Sequence, residues 1–145
     1  MKKKAVEYKI KAEKQEFSCE KIKSSEDVFK FARKFYFDDI MIYESAFILL
    51  FNQANNVTGY AKISQGGICN TLIDVRLVAK FAIDTLSSAV ILVHNHPSGN
   101  LKPSNDDIKM SQRLNEALNL LSIKLLDSVI ISDSSYYSMQ DEGIL

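Results

Sequence analysis

Ala89-Val90-Ile91-Leu92-Val93-His94-Asn95-His96-Pro97-Ser98-Gly99-Asn100-Leu101-Lys102-Pro103-Ser104-Asn105-Asp106-Asp107 contains both histidines and both prolines of the 145-residue chain. Residues 89–93 are continuously apolar and rich in β-branched side chains, the pattern of a strand buried on both faces. His94 and His96 stand two apart at its end, so on an extended chain their imidazoles share one face. Pro97 stops the strand, and His96-Pro97-Ser98-Gly99 has proline and glycine where a type I turn takes them. Pro103-Ser104 then opens a helix, with Asp107 in its first turn and Leu114, Ala117, Leu118 and Leu121 at helical spacing. A buried strand, a braced loop and an amphipathic helix in succession predict an α/β fold.

Two neutral imidazoles and one carboxylate form a three-ligand set. For zinc, that set leaves the fourth tetrahedral position to water, as in a catalytic rather than a structural site. Bound water then ionises near neutrality, its pKa lowered from about 15.7 towards roughly 7. Ser104 followed three residues later by Asp107 is equally the pattern of a capping box, which ties off backbone N–H groups at the helix start. The two roles are compatible, because the Ser104 hydroxyl can also donate to a developing oxyanion. The contiguous His-Asn-His is not the nuclease motif of that name, whose histidines are far apart in sequence.

Working outward, Ala5 to Ala12 alternates as a strand, and Ser24-Ser25-Glu26-Asp27 caps a helix with Val28, Phe31, Ala32 and Phe35 on one face. Strands are predicted near 45–53 and 57–64, with Asn55-Asn56 as the turn. Gly66-Gly67 marks a bulge or a close backbone approach before a strand over Ile68 to Asp74. Val75, Val78, Ala79, Ala82, Ile83 and Leu86 form a helical core stripe. Lys124 to Ser132 and Tyr136 to Met139 read as closing strands. The order predicts a mixed sheet with helices on its faces.

His94-x-His96, seven residues, Ser104, two residues and Asp107 together resemble the signature of the JAMM domain, also called JAB or MPN-plus, a metalloprotease-like family. The longer string HNHPSGNLKPSNDD, with Leu125-Leu126-Asp127 downstream and Ser64-x-Gly66-Gly67 upstream, is similar to its bacterial RadC branch, from about Glu44 to the C-terminus. The resemblance implies an α-β-α sandwich around a curved mixed sheet. It also implies zinc held by His94, His96 and Asp107, and Glu44 as the group that takes a proton from water and delivers it to the leaving amine. Ser104 would be the oxyanion donor. Taken by itself, Glu44 is an acid at the head of the apolar run Ala46 to Phe51, and Asp74 is the runner-up for its role. The RadC branch carries a label of DNA repair, which is not evidence of DNA chemistry. Two departures stand out: Ser128 where relatives usually have histidine after the Leu-Asp pair, and no helix-hairpin-helix segment ahead of the domain.

Length and composition suit one globular domain over 1–145, with 46% apolar and 25% charged residues. Formal charge is zero overall, but residues 1–23 carry a net +4 and the remainder a net −4. A neutral chain lacks the broad basic field of a dedicated nucleic-acid binder, and the lysine-rich start fits a solvated edge strand. No run approaches the roughly 20 apolar residues of a membrane span, and no secretory signal precedes the chain. Cys19 and Cys69 are far apart, so a cytoplasmic protein with free thiols is expected; Cys69 as a fourth ligand would close the site.

Three activities remain in view. One is a zinc-dependent hydrolase, a peptidase or isopeptidase acting on peptide or isopeptide-linked protein. A second is a non-enzymatic, metal-braced binding module for a protein or nucleic-acid partner. The third, a phosphodiesterase, calls for a second metal roughly 3.5–4 Å from the first and more carboxylates than Asp106, which points elsewhere around the helix, can supply.

Overall fold

The computed structural model of the chain describes residues 4–9, 11–14, 21–36, 38–67 and 73–145. Among the described residues three α-helices, α1 (Ser25–Ala32), α2 (Val75–Asp84) and α3 (Asn105–Leu120), and two short 3-10 turns accompany five strands. These are β1 (Glu44–Phe51), β2 (Val57–Gly67), β3 (Ala89–Asn95), β4 (Lys124–Ile131) and β5 (Tyr136–Ser138), joined in one sheet in the order β2-β1-β3-β4-β5. The β3–β4 pair is parallel and the other three are antiparallel, so the sheet is mixed, as expected. The parallel β3–β4 pair is joined by a crossover through α3, and α2 carries the chain over β1 from β2 to β3.

Alternation along the central strands builds two cores. Phe47, Leu49, Phe51, Ile91 and Val93 pack on one face with Val28, Phe31, Ala32 and Phe35 of α1 and the turn after it. Ile48, Leu50, Val90 and Leu92 pack on the other with Val78 and Ala82 of α2 and Leu114 and Leu118 of α3. The result is the α-β-α sandwich that the JAMM/MPN resemblance implied. Among the described residues no helix is long and apolar enough to cross a membrane.

Several expectations are corrected. Residues 5–9, 11 and 12 form no strand, so the lysine-rich start is not a sheet edge there. Ile73 and Asp74 also lie outside any strand, and residues 68–72, with Cys69, fall outside the described part, as does Cys19. The α2 stripe is narrower than its spacing suggested. Val78 and Ala82 are buried, whereas Ile83, in the last turn of the helix, is 47% exposed, and Leu86, past its end at Asp84, is 89% exposed. Leu77 and Phe81 pack against the core in their place. On α3, Leu121 is likewise largely exposed. Gly66 does mark a bulge: Glu44 pairs with Gly67 and Ser45 with Gln65, which skips Gly66 at φ +117°. A Cβ there would meet nothing within 4 Å, so conformation rather than crowding selects glycine.

The C-terminal segment is fastened by a buried carboxylate. Asp127 accepts from the backbone of Ser128 at 2.7 Å, the Ser138 hydroxyl at 2.6 Å and the Gln140 backbone at 3.0 Å. Next to it Ser128, where a histidine was anticipated, is fully buried and takes a 2.8 Å bond from Ser111 of α3. Burial pushes the Asp127 carboxyl above its ordinary value despite these donors. Asp127→Ala, which strips partners from buried donors, should cost about 1–3 kcal/mol in denaturant unfolding. Asp127→Asn should cost clearly less. Because the folded-state carboxyl is raised, wild type gains stability relative to Asp127→Asn as pH falls through that value; a gap between them independent of pH would contradict this.

Candidate metal centre

The site is assembled by register. In the antiparallel β1–β3 pair Ala46 faces His94, so Glu44, two residues earlier, stands level with His96, two residues later. Glu44 and the histidines share parity with Ile48, Leu50, Val90 and Leu92, so they face the side of the sheet covered by α2 and α3. There α3 begins with a full capping box: Ser104 Oγ accepts from Asp107 N at 3.0 Å, and the Asp107 carboxylate accepts from Ser104 N at 2.8 Å. The carboxylate also lies 3.4 Å from His94 Nε2 and 3.3 Å from His96 Nε2. One ligand atom from each of Glu44, His94, His96 and Asp107 can be chosen so that all lie within 4.8 Å of one another.

The loop holds the imidazoles in ligand form. His96 N donates to Ile131 O of β4 at 3.0 Å, and Gly99 N, at φ +80°, closes the predicted turn onto His96 O at 3.0 Å. The His96 ring meets Asn100 O through Nδ1 at 2.6 Å. A carbonyl can only accept, so Nδ1 carries the proton and Nε2 presents a lone pair or a second proton to the cluster. His94 is buried; its Nδ1 has no hydrogen-bond partner, and its Nε2 has only the 3.4 Å approach of the Asp107 carboxylate, too long for a well-formed bond. An orphaned buried imidazole costs free energy unless something binds it, and a divalent cation among these four groups would do so. The donor set, two nitrogens and two carboxylates, suits a borderline ion such as zinc.

Charge is distributed to match. Burial raises the Glu44 carboxyl above its ordinary value; the two histidines oppose that rise and Asp107 adds to it. Asp107 is also buried enough to be pushed upward, but contacts from His94 and His96 and the Ser104 amide hold it well below the usual carboxylate range. The same carboxylate raises His96 against the opposing effect of burial.

The structure brings together the three expected ligands and Glu44. Asp74 is not among them: it caps α2, accepts from Arg76 N at 2.9 Å and pairs with the Arg76 guanidinium. Ser104 makes the capping box and remains exposed beside the cluster. Two contributors went unread in the sequence, Asn100, which acts through its carbonyl, and Asn95, which faces the other side of the sheet. No side-chain signal reveals the first. The second was legible, since an asparagine between two strand-end histidines that share one face must turn its amide to the other, where burial obliges it to find partners.

In the metal-free protein the stability from the His96–Asp107 pair is fully present below about pH 6.5 and is lost as pH rises through the raised folded-state value. Zinc uptake near neutrality should therefore displace a proton. Calorimetry in buffers of different ionisation enthalpy should give different apparent heats, and identical heats would contradict it.

Residues 22–144 match the family described as RadC-like JAB domain, a wider span than the Glu44-to-C-terminus stretch the motifs marked. The chain is 40% identical over 124 residues to a UPF0758 protein of Flavobacterium johnsoniae, covering 86% of this chain and 53% of that one. It is 44% identical over 103 residues to a UPF0758 protein of Porphyromonas gingivalis, covering 70% and 45%. A UPF0758 protein of Alkaliphilus metalliredigens is 38% identical over 132 residues, covering 86% and 53%. The chain thus spans about half the length of the curated relatives it matches. With the histidine pair, the capped aspartate and this match over most of its length, the chain belongs to the RadC-like JAB domain family.

Proposed function

We propose that this domain is a zinc-dependent hydrolase, a peptidase or isopeptidase. The observation that carries the proposal is the convergence of Glu44, His94, His96 and Asp107 within 4.8 Å, with the buried His94 ring otherwise short of well-formed hydrogen bonds. His94, His96 and Asp107 would hold the ion, which supplies Lewis acidity towards a carbonyl oxygen and towards water. Glu44, its carboxyl raised by burial, is suited to take a proton from attacking water and return it to a leaving amine, since a base nearer neutrality works in both directions. The Ser104 hydroxyl accepts from Asp107 N through a lone pair, which leaves its proton to donate to an oxyanion. The substrate class, peptide or isopeptide-linked protein, rests on the family resemblance, because the relatives' names state no activity. A phosphodiesterase is disfavoured: among the described residues the cluster has two carboxylates, and Asp106 lies outside it.

One observation favours a second reading, a metal-braced binding module. Glu44 is close enough to the other three groups to serve as a fourth ligand and close the site. Glu44→Gln separates the two. A hydrolase variant should retain one zinc with affinity within about tenfold, while turnover falls by about 10²–10⁴, the range for a lost general acid–base. Zinc affinity that collapses with this substitution assigns Glu44 to the coordination sphere instead. Cleavage of peptide and isopeptide-linked libraries by wild type should stop with a zinc chelator and return with added zinc. For a nucleic-acid partner the corresponding sign would be DNA affinity that falls steeply with salt.

A further inference from the structure

Asn95 lies between the two metal-facing histidines, is fully buried, and by strand alternation turns to the opposite face of the sheet. There it uses its whole hydrogen-bonding capacity on one short segment. Its Oδ1 accepts from Ser45 N at 2.8 Å and Ser45 Oγ at 3.2 Å. Its Nδ2 donates to Ile40 O at 2.7 Å and Tyr43 O at 2.8 Å. An asparagine has two acceptor lone pairs and two donors, and all four are taken.

These partners bracket Glu44. Tyr43 and Ser45 are its immediate neighbours, so Asn95 fixes the backbone on both sides of the residue whose side chain faces the cluster. Other holds on this segment are the β1–β2 ladder, which shifts register between Glu44 and Ser45, the Tyr36 hydroxyl, which donates to Ser45 O at 3.1 Å, and the buried Ile40 side chain. Met41, Ile42 and Tyr43, the three residues just before Glu44, are 62%, 54% and 47% exposed, so packing anchors them weakly. The paired β1–β3 ladder runs only from Ala46–His94 onwards. One buried side chain replaces the missing ladder bonds, and it belongs to the strand that carries the ligands.

We propose that Asn95 is a positioning residue that holds Glu44 against the His94–His96–Asp107 cluster through the backbone of Tyr43 and Ser45. This rests on Glu44 being the acid–base group of the hydrolase proposed above. The histidines and Glu44 are then referenced to one rigid point, with no contact between Asn95 and the metal face.

The test uses the whole chain loaded with cobalt(II), with ¹³C-labelled glutamate observed by NMR and the Glu44 carboxyl signal assigned by its loss in Glu44→Gln. Wild type should show a large paramagnetic shift at Glu44. In Asn95→Ala that shift should fall at least about twofold, while the shifted His94 and His96 ring signals and the one-to-one cobalt stoichiometry persist. In the metal-free protein the Ser45 amide should exchange about tenfold faster in Asn95→Ala, the loss of roughly one net hydrogen bond, with the amides of Val93 and Leu114 unchanged. If Asn95→Ala does not fold, Asn95→Asp keeps the acceptor for Ser45 but loses both donors. It should leave Ser45 protected and still reduce the Glu44 shift.

An undiminished Glu44 shift in the variant that folds overturns the proposal. So does loss of the histidine signals together with that of Glu44, which would make Asn95 a general brace of the site. A wild type that takes up neither cobalt nor zinc sinks the metallohydrolase reading instead. Exchange at Ser45, which needs no metal, then still decides whether Asn95 holds the segment.

Discussion

The antiparallel pairing of β1 with β3 is the constraint on which the rest depends. Both strands are apolar on both faces, so neither can slip by one residue without exchanging the two cores. That locked register sets Glu44 beside His96 although some fifty positions separate them in sequence. The geometry of the cluster is thus a by-product of core packing: the side chains that fix the register include Ile48, Leu50, Val90 and Leu92, buried on the same face of the sheet.

Asp107 satisfies two demands with one carboxylate. It completes the capping box that starts α3, and it contacts both histidines. A carboxylate at a helix N-terminus is favoured by the peptide dipoles as well as by the bond from Ser104 N. The helix therefore prepays for keeping this group ionised, which a ligand must be. Asn100 does the matching work for His96 by fixing its tautomer from the far side. On the opposite face Asp127 fastens the closing strands, so the parallel β3–β4 pair that carries the histidines is held from both directions.

Much of this was legible in the residues, for physical reasons that differ by element. The β3 strand, the loop and α3 were readable because apolar run, proline, glycine and cap follow one another without ambiguity. The ligand trio followed from period two on the strand and a helix start. Residues 5–9, 11 and 12 misled because alternation over a short lysine-rich stretch gives no core to bind it. The α2 stripe misled at Leu86 because periodicity continued past the point where Asp84 ends the helix, and at Ile83 because spacing alone does not tell how wide a strip of the helix the sheet covers. Glu44 needed the family resemblance, since no local pattern can place one strand's head against another's end. The partners of Asn95 were not readable because Ile40, Tyr43 and Ser45 lie 50 or more residues away in sequence.

His94, His96 and Asp107 come from one continuous strand–loop–helix segment, whereas Glu44 arrives from a distant part of the chain by way of β1. Closing a short loop costs less entropy than closing a long one, so the two parts of the cluster are held by different means: the trio by its own loop and helix cap, and Glu44 by the sheet. A change that loosens the edge of β1 would therefore displace one corner of the cluster and leave the other three in place.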